Sequence, residues 1–332
     1  MINKWKKTLI LLGILVFVLI AGIAALAIVN KVNEKNLSFA YNVEEQMYGQ
    51  QDTKLNAQKA NAYASDLCVA SSNIGLNGLS FAQGTKAALF NLENDTVAFA
   101  HNIHEMAYPA SITKIMTAIV ALKHGNLDDV ITISANALNL EDGSMEIGFR
   151  VGDRITLREL LHGLLIYSGN DAATAIAEHI GGTIEQFVAM MNAEALSLGA
   201  TNTHFANPSG LHDENHYTTV YDIYLMLEEA LTYDFFVKLM QMESYTISYT
   251  RGDETLKKRL DSTDQYLTNQ VTAPKNVTVL GGKTGTTSDA GSCLALVSQN
   301  AYGELFISIV LKAQNKTQLY DYMNQLLSQI NM

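Results

Sequence analysis

Apolar residues run without a break from Leu9 to Val29, thin out to about Ala64, and from there to the C-terminus recur in helical and strand periods. The unbroken run is long enough to cross a bilayer as a helix. Lys4, Lys6 and Lys7, with Trp5, precede it, which predicts a cytoplasmic N-terminus with everything after Asn30 on the extracytoplasmic side of the cell membrane. The length favours an uncleaved transmembrane anchor over residues 1–30. A cleaved signal peptide is the rival reading, with Ala25-Leu26-Ala27 as its cleavage site. No cysteine follows the run closely, which argues against a lipoprotein. Residues 31–65, rich in Asn, Gln, Glu, Lys and Ala, read as a polar spacer that holds a domain off the membrane.

The periodic part begins near Asp66. Ala87-Ala88-Leu89-Phe90-Asn91-Leu92 and Thr96-Val97-Ala98-Phe99-Ala100 flank Glu93-Asn94-Asp95, the pattern of a hairpin. From Tyr108 to Gly125, Pro109 suits a first helical turn and Gly125 the position past the end. Ile112, Ile115, Met116, Ile119, Val120 and Leu122 leave that helix almost no polar face, so it is expected to be buried. Leu127 to Ser134 is a short excursion and Arg150 to Arg154 a turn. Thr156-Leu157-Arg158-Glu159 matches a capping box and opens an apolar helix through Ile166. The tight loop Tyr167-Ser168-Gly169-Asn170 separates it from a helix that starts at Asp171 and runs through Ile180. Thr183-Ile184-Glu185-Gln186 caps another, which ends at Gly199. After the polar loop Asn207 to His212, the stretch His216-Tyr217-Thr218-Thr219 heads one more helix.

Near Val277 the period changes. Val277 to Leu280 leading into Gly281-Gly282-Lys283-Thr284-Gly285-Thr286-Thr287, then Cys293 to Ser298 and Leu305 to Leu311, form three antiparallel strands by pattern. A final helix covers roughly Thr317 to Ile330. Two strands, a block of helices, three strands and a helix predict an α+β domain over residues 66–332. Its antiparallel five-stranded sheet draws on both ends of the domain and is flanked by helices, with the helical block between.

Composition narrows the function. Of 332 residues, 48% are apolar, enough for a sizeable core in one large domain or two modest ones. The formal charge of -11 becomes -14 once the first thirty residues, with three lysines and no acids, are set aside. Such a surface is unfavourable for nucleic acid, and an anionic substrate must be met by locally placed cations. Two cysteines make no disulfide framework; Cys293, in a strand-like run, reads as a small buried apolar residue, with a bridge to Cys68 as the alternative. His212 and His216 sit in a polar loop without the rigid helical face that a metal pair needs, so neither metal nor cofactor is assigned. Arg251-Gly252-Asp253 is read as a turn between strands.

Ser111 and Lys114 lie three apart in the first turn of the buried helix, on one side. A serine hydroxyl must lose its proton to become a nucleophile, and a lysine crowded by apolar walls and other cations can accept it. The helix start adds free N-H groups where negative charge on a reacting oxygen is favoured. Ser-x-x-Lys alone is a weak signal. Ser168-Gly169-Asn170, at an inter-helix loop, and Lys283-Thr284-Gly285, on a strand, strengthen it.

In that order and approximate spacing, Ser111-Ile112-Thr113-Lys114, Ser168-Gly169-Asn170 and Lys283-Thr284-Gly285 resemble the three signatures of penicillin-recognising serine enzymes, the β-lactamase/transpeptidase-like group. Pro109-Ala110, Asn207-Pro208 with Gly210-Leu211, His216-Tyr217 with Thr219, Gly282 before Lys283, and Ala290-Gly291 are similar to the low-molecular-mass penicillin-binding proteins that act as serine D-alanyl-D-alanine carboxypeptidases. The similarity covers about Asp66 to the C-terminus. Many relatives carry a cleaved signal, a second β-rich domain and a C-terminal amphipathic anchor. This sequence ends too soon for the last two, which would leave the N-terminal run as sole anchor.

The resemblance implies acyl transfer on a peptidoglycan stem peptide ending in D-Ala-D-Ala, with β-lactams as inhibitors. Ser111 would be the nucleophile and Lys114 its general base. Ser168, hydrogen-bonded between Lys114 and Lys283, would relay a proton to the leaving amine, and Asn170 would hold the substrate amide. Lys283, Thr284 and Thr286 of the Lys283 to Thr286 strand, which includes Gly285, would bind the terminal carboxylate. Backbone N-H groups of Ser111 and Thr286 would form the oxyanion hole. Three rivals share these groups: a D,D-endopeptidase or transpeptidase, which differs in acceptor; a class A β-lactamase; and a wall-binding module that keeps the fold without turnover. The β-lactamase needs a glutamate-positioned water, and Glu185, Glu194 and Glu214 lack the Glu-x-x-Leu-Asn context. The binding module could dispense with Ser111 and Lys114, both of which are present.

Overall fold

The computed structural model describes residues 67–76, 78–141 and 143–331. The apolar run and the spacer read from the sequence lie outside the described residues. No helix among the described residues is long and apolar enough to cross a membrane. From Cys68 onward the chain forms one compact unit.

Its centre is a five-stranded antiparallel sheet drawn from both ends of that unit. β1 (Lys86–Asn91) and β2 (Thr96–His101) form the expected hairpin. β7 (Thr278–Thr287), β8 (Gly291–Gln299) and β9 (Leu305–Ala313) form the expected meander, and the order across the sheet is β2-β1-β9-β8-β7. β8 and β9 are buried on both faces, which explains their unbroken apolar sequence. One face packs Leu89, Leu294, Leu296 and Val310 against Leu319, Met323, Leu326 and Leu327 of α7 (Lys316–Leu327). β7 is left as an edge, and an edge strand keeps unpaired backbone groups facing outward.

The helical block contains α1 (Lys114–His124), α2 (Leu157–His162), α3 (Asn170–Gly181), α4 (Ile184–Ser197), α5 (Val220–Leu231) and α6 (Asp234–Met240). On the second face of the sheet, Phe90 of β1 stacks on Tyr224 of α5 with ring centroids 4.1 Å apart. The two caps expected from the sequence are formed, with Thr156 Oγ1 accepting from Glu159 N and Thr183 Oγ1 from Gln186 N, and at the head of α5 Thr219 Oγ1 accepts from Asp222 N.

Three local expectations need correction. The buried helix starts as a 3-10 turn, Ala110–Thr113, before the α-helical register begins at Lys114. The helix opened by Thr156 passes into a π turn, Gly163–Tyr167, a loosening that lets it end on Ser168 in left-handed conformation (φ 70°). Asn170 is the first residue of α3 rather than part of the loop. A second sheet, β3-β4-β5-β6, was read only as fragments. β3 (Val130–Thr132) and β4 (Arg154–Thr156) are three residues each, and β5 (Ser244–Arg251) pairs with β6 (Glu254–Asp261) through the turn at Gly252. Arg251 there donates to both carboxylate oxygens of Asp153, at 2.8 and 2.7 Å. Both cysteines are free and buried.

Candidate active site

Ser111 is positioned by close backbone approach from two segments. Ala110 before it has φ 50°, a conformation that a residue with a Cβ adopts only when its surroundings impose it. Those surroundings are two glycines. A Cβ on Gly210 would fall 1.9 Å from the Ala110 carbonyl oxygen, and one on Gly285 of β7 would fall 2.8 Å from that of Pro109 and 3.0 Å from Ser111 N. Only bare backbone allows the Asn207 loop and the β7 edge to close on the Ser111 turn this tightly.

Lys114, one turn on, has no exposed surface. Its ammonium donates to Ser111 Oγ at 3.0 Å, to Asn170 Oδ1 at 2.7 Å and to the Ser209 carbonyl at 2.8 Å. Burial, and then the charge of Lys283, hold its pKa well below the ordinary lysine value against a smaller pull from Asp171. The Asn207 loop that supplies the Ser209 carbonyl is fixed from within: Asn207 Oδ1 accepts from the N-H groups of Ser209 and Gly210. It is tied to α1 by Thr117 Oγ1, which donates to the Pro208 carbonyl at 2.6 Å. His216 supports the same turn. Its Nδ1 accepts from Ala206 N, so Nε2 carries the proton and donates to Thr113 Oγ1 at 2.7 Å. Burial takes that imidazole down to about 4, which keeps it neutral.

Lys283 is 2% exposed and donates to Ser168 Oγ at 2.9 Å and to the Thr284 carbonyl at 3.0 Å. Burial brings its pKa down to about 7, with the negative charge of Asp264 opposing. Thr284 Oγ1 is 2.6 Å from Thr263 Oγ1, a shared hydroxyl hydrogen bond. Gly285 is buried under the Ser111 turn, and Thr286 is exposed on the β7 edge. A cavity of about 480 Å³ opens over these groups, lined by Ser111, Ser168, Asn170, Thr284, Gly285 and Thr286.

Residues 82–315 match the sequence profile of the D-alanyl-D-alanine carboxypeptidases, peptidase family S11. The chain belongs to this family. It is 35% identical over 217 residues to the D-alanyl-D-alanine carboxypeptidase DacF of Bacillus subtilis, covering 64% of this chain and 53% of that one. Against the D-alanyl-D-alanine carboxypeptidase DacC of Escherichia coli it is 34% identical over 223 residues, 64% of this chain and 52% of the other. The chain thus spans about half the length of these relatives. The crystal structure of the Streptomyces K15 DD-transpeptidase superposes with a TM-score of 0.66 at 26% identity, over 73% of this chain and 96% of that one.

The expected site residues therefore converge on one cavity wall and floor, with one rearrangement. Ser168 was expected between the two lysines, but Lys114 bonds Asn170 instead and Ser168 bonds Lys283. The left-handed turn at Ser168 and the start of α3 at Asn170 place the two side chains toward different ammonium groups. Of the acids weighed for water positioning, Glu194 is held by Lys123 at 2.8 Å, and neither it, Glu185 nor Glu214 lines the cavity.

Other participants were not singled out in the sequence. Asp171, fully buried, accepts from Ile147 N, Gly148 N and Ala172 N at 3.0, 3.0 and 2.9 Å, so it pins the segment that carries Met145 into the cavity wall. Glu141, upstream of Ser168-Gly169-Asn170, also lines that wall. Asn207-Pro208 and His216-Tyr217 were noted as family features, but nothing in their spacing told that one delivers a carbonyl to Lys114 and the other a neutral imidazole to Thr113.

Proposed function

We propose that this chain is a membrane-anchored serine D,D-carboxypeptidase that removes the terminal D-alanine from peptidoglycan stem peptides through an acyl-enzyme on Ser111, and that penicillins inhibit it by occupying the same serine. The observation that carries this reading is the pair of separate couples at one cavity: Lys114 at 3.0 Å from Ser111 Oγ, and Lys283 at 2.9 Å from Ser168 Oγ.

Lys114, losing its proton more readily than any solvated lysine, takes the Ser111 hydroxyl proton as Oγ attacks the carbonyl of the penultimate D-alanine. The oxyanion sits between the Ser111 N-H, free at a helix start, and the Thr286 N-H of the β7 edge. Lys283, Thr284 and Thr286 take the terminal carboxylate, so the locally placed cation demanded by the acidic surface is Lys283. Asn170, its Oδ1 engaged by Lys114, presents its amide N-H to the peptide. The proton that Lys114 took from Ser111 passes to the departing D-alanine amine with Ser168 as its relay, so Lys114 returns to the neutral base while Lys283, 2.9 Å from Ser168 Oγ, keeps its charge on the carboxylate. Water then attacks the acyl-enzyme and regenerates Ser111.

In this reading residues 1–30 anchor the chain, 31–65 form the spacer, and 66–332 act as the peptidase domain on the extracytoplasmic side. The test is release of D-alanine from a peptide ending in Lys-D-Ala-D-Ala by the full chain in detergent. Turnover abolished in Ser111→Ala and blocked by benzylpenicillin is the expected result; a folded wild-type chain that releases no D-alanine would overturn it.

A further inference from the structure

The turn that follows β6 does more than connect two sheets. Thr263 N donates to the Ile166 carbonyl, two residues before Ser168, at 3.2 Å, while Thr263 Oγ1 meets Thr284 Oγ1 at 2.6 Å. The turn therefore staples the Ser168 loop to β7 on either side of Lys283. Its next residue, Asp264, is 1% exposed. Oδ1 accepts from Tyr266 N at 2.9 Å and, more weakly, from the Tyr320 hydroxyl of α7 at 3.5 Å. Oδ2 is buried with no hydrogen-bond partner among the described residues. A carboxylate oxygen left in that state is costly and calls for an explanation other than packing.

We propose that Asp264 is the buried counter-charge of Lys283, a positioning residue through which the cavity selects peptides that end in a carboxylate. This rests on the reading of Lys283 as the carboxylate-binding cation. A buried ammonium with no anion behind it would shed its proton and stop attracting the substrate. Asp264 counters that loss without closing an ion pair with Lys283, whose ammonium stays bonded to Ser168 Oγ and the Thr284 carbonyl. Consistent with this, Lys283 and Asp264 each act on the other's proton equilibrium: burial lifts the carboxyl to about 6 and lowers the amine to about 7, and the mutual attraction opposes both.

The other groups facing the pair do not substitute for it. Lys114 on α1 is a like charge, and Asp171 on α3 acts on Lys114. Burial pushes the hydroxyls of Tyr266 and Tyr320 still further above their ordinary alkaline range, so both stay neutral. His216, behind Thr113, is neutral. Lys316 and Glu141 line the cavity, and His212 with Asp289, 3.9 Å apart, lies beyond the far end of the β7 edge.

Neutralising Asp264 therefore lowers the proton affinity of Lys283, and the alkaline limb of substrate binding moves to lower pH. The experiment is D-alanine release by the full chain in detergent across pH for wild type, Asp264→Asn and, should the melting curve show Asp264→Asn unfolded, the smaller Asp264→Ser. A limb moved by about one pH unit raises KM about tenfold near pH 7.5, with a smaller change in kcat, and the two profiles converge below about pH 5.5. A profile that superimposes on an active wild type overturns the inference alone, as does a uniform loss at every pH, which would mark Asp264 as merely structural. An inactive wild type overturns the carboxypeptidase reading and this inference with it.

Discussion

Lys114 and Lys283 are the same side chain in two buried places, and their surroundings separate them. Lys114 meets only neutral acceptors, Ser111 Oγ, Asn170 Oδ1 and the Ser209 carbonyl, and has a second ammonium nearby. Lys283 also bonds neutral oxygens, those of Ser168 and Thr284, but has the charge of Asp264 within electrostatic reach. Each lysine has one carboxylate within electrostatic reach, Asp171 for Lys114 and Asp264 for Lys283, but only Lys114 is also depressed by the neighbouring ammonium, so it gives up its proton first. One lysine is thereby suited to be a base and the other to remain a cation. The like charge on Lys114 decides this, not burial, which is nearly complete for both.

The largest expected effect comes from arginine, which cannot surrender its proton. Lys114→Arg should lower the rate of acylation by β-lactams by about a thousandfold, the scale of losing a general base. Lys283→Arg keeps the charge and should cost about tenfold in KM through altered geometry. Equal losses at both positions would remove the distinction.

Next comes the backbone that holds Ser111 beside its base. Gly210→Ala would push a methyl against the Ala110 carbonyl at a residue with φ 85°. Destabilisation of about 2 kcal/mol or more in denaturant unfolding is expected, with roughly a hundredfold loss of acylation by misplacement of Ser111.

The pH profile sharpens the comparison further. Acylation should fall on the acid side as Lys114 takes up a proton, and binding should fall above about 7 as Lys283 loses one. In Lys283→Met the alkaline limb should disappear and the acid limb should move toward neutral, because the like charge that depresses the pKa of Lys114 is gone.

Stability carries the same signature at lower amplitude. The folded pKa of Lys283 lies below its ordinary 10.5, so between about 7 and 10.5 the unfolded chain binds the extra proton and folding gains stability as pH rises. Relative to Lys283→Met, the wild type should gain up to about 1.4 kcal/mol per pH unit between about pH 7 and 9 in urea unfolding. The smallest effect is expected of Thr263→Val, which frees Thr284 Oγ1 and should raise KM by about threefold, the scale of one neutral hydrogen bond.

The strands of the large sheet and the helices were legible because each carries a clean period or a cap, as at Thr156 and Thr183. The small sheet was not. β6 offers only Leu256 and Leu260 as apolar residues, and β3 and β4 are too short to show alternation. In the site, Ser111 and Lys114 stood out because polar groups interrupt an apolar helix, and Lys283 because Lys283-Thr284-Gly285 completes three signatures in order. Asp171, Asp264 and the Ser209 carbonyl did not, since their importance lies in what the fold buries beside them. The exchange of partners between Ser168 and Asn170 depended on a π turn and a left-handed residue, which no period announces.

The most direct measurement is an intact-mass time course of the full chain with benzylpenicillin, beside Ser111→Ala. A stoichiometric, long-lived adduct on the wild type and none on the variant is the expected result. An adduct that persists in Ser111→Ala, or a folded wild type that forms none, would contradict acyl transfer on Ser111; rapid penicillin consumption with little adduct would make the chain a β-lactamase instead.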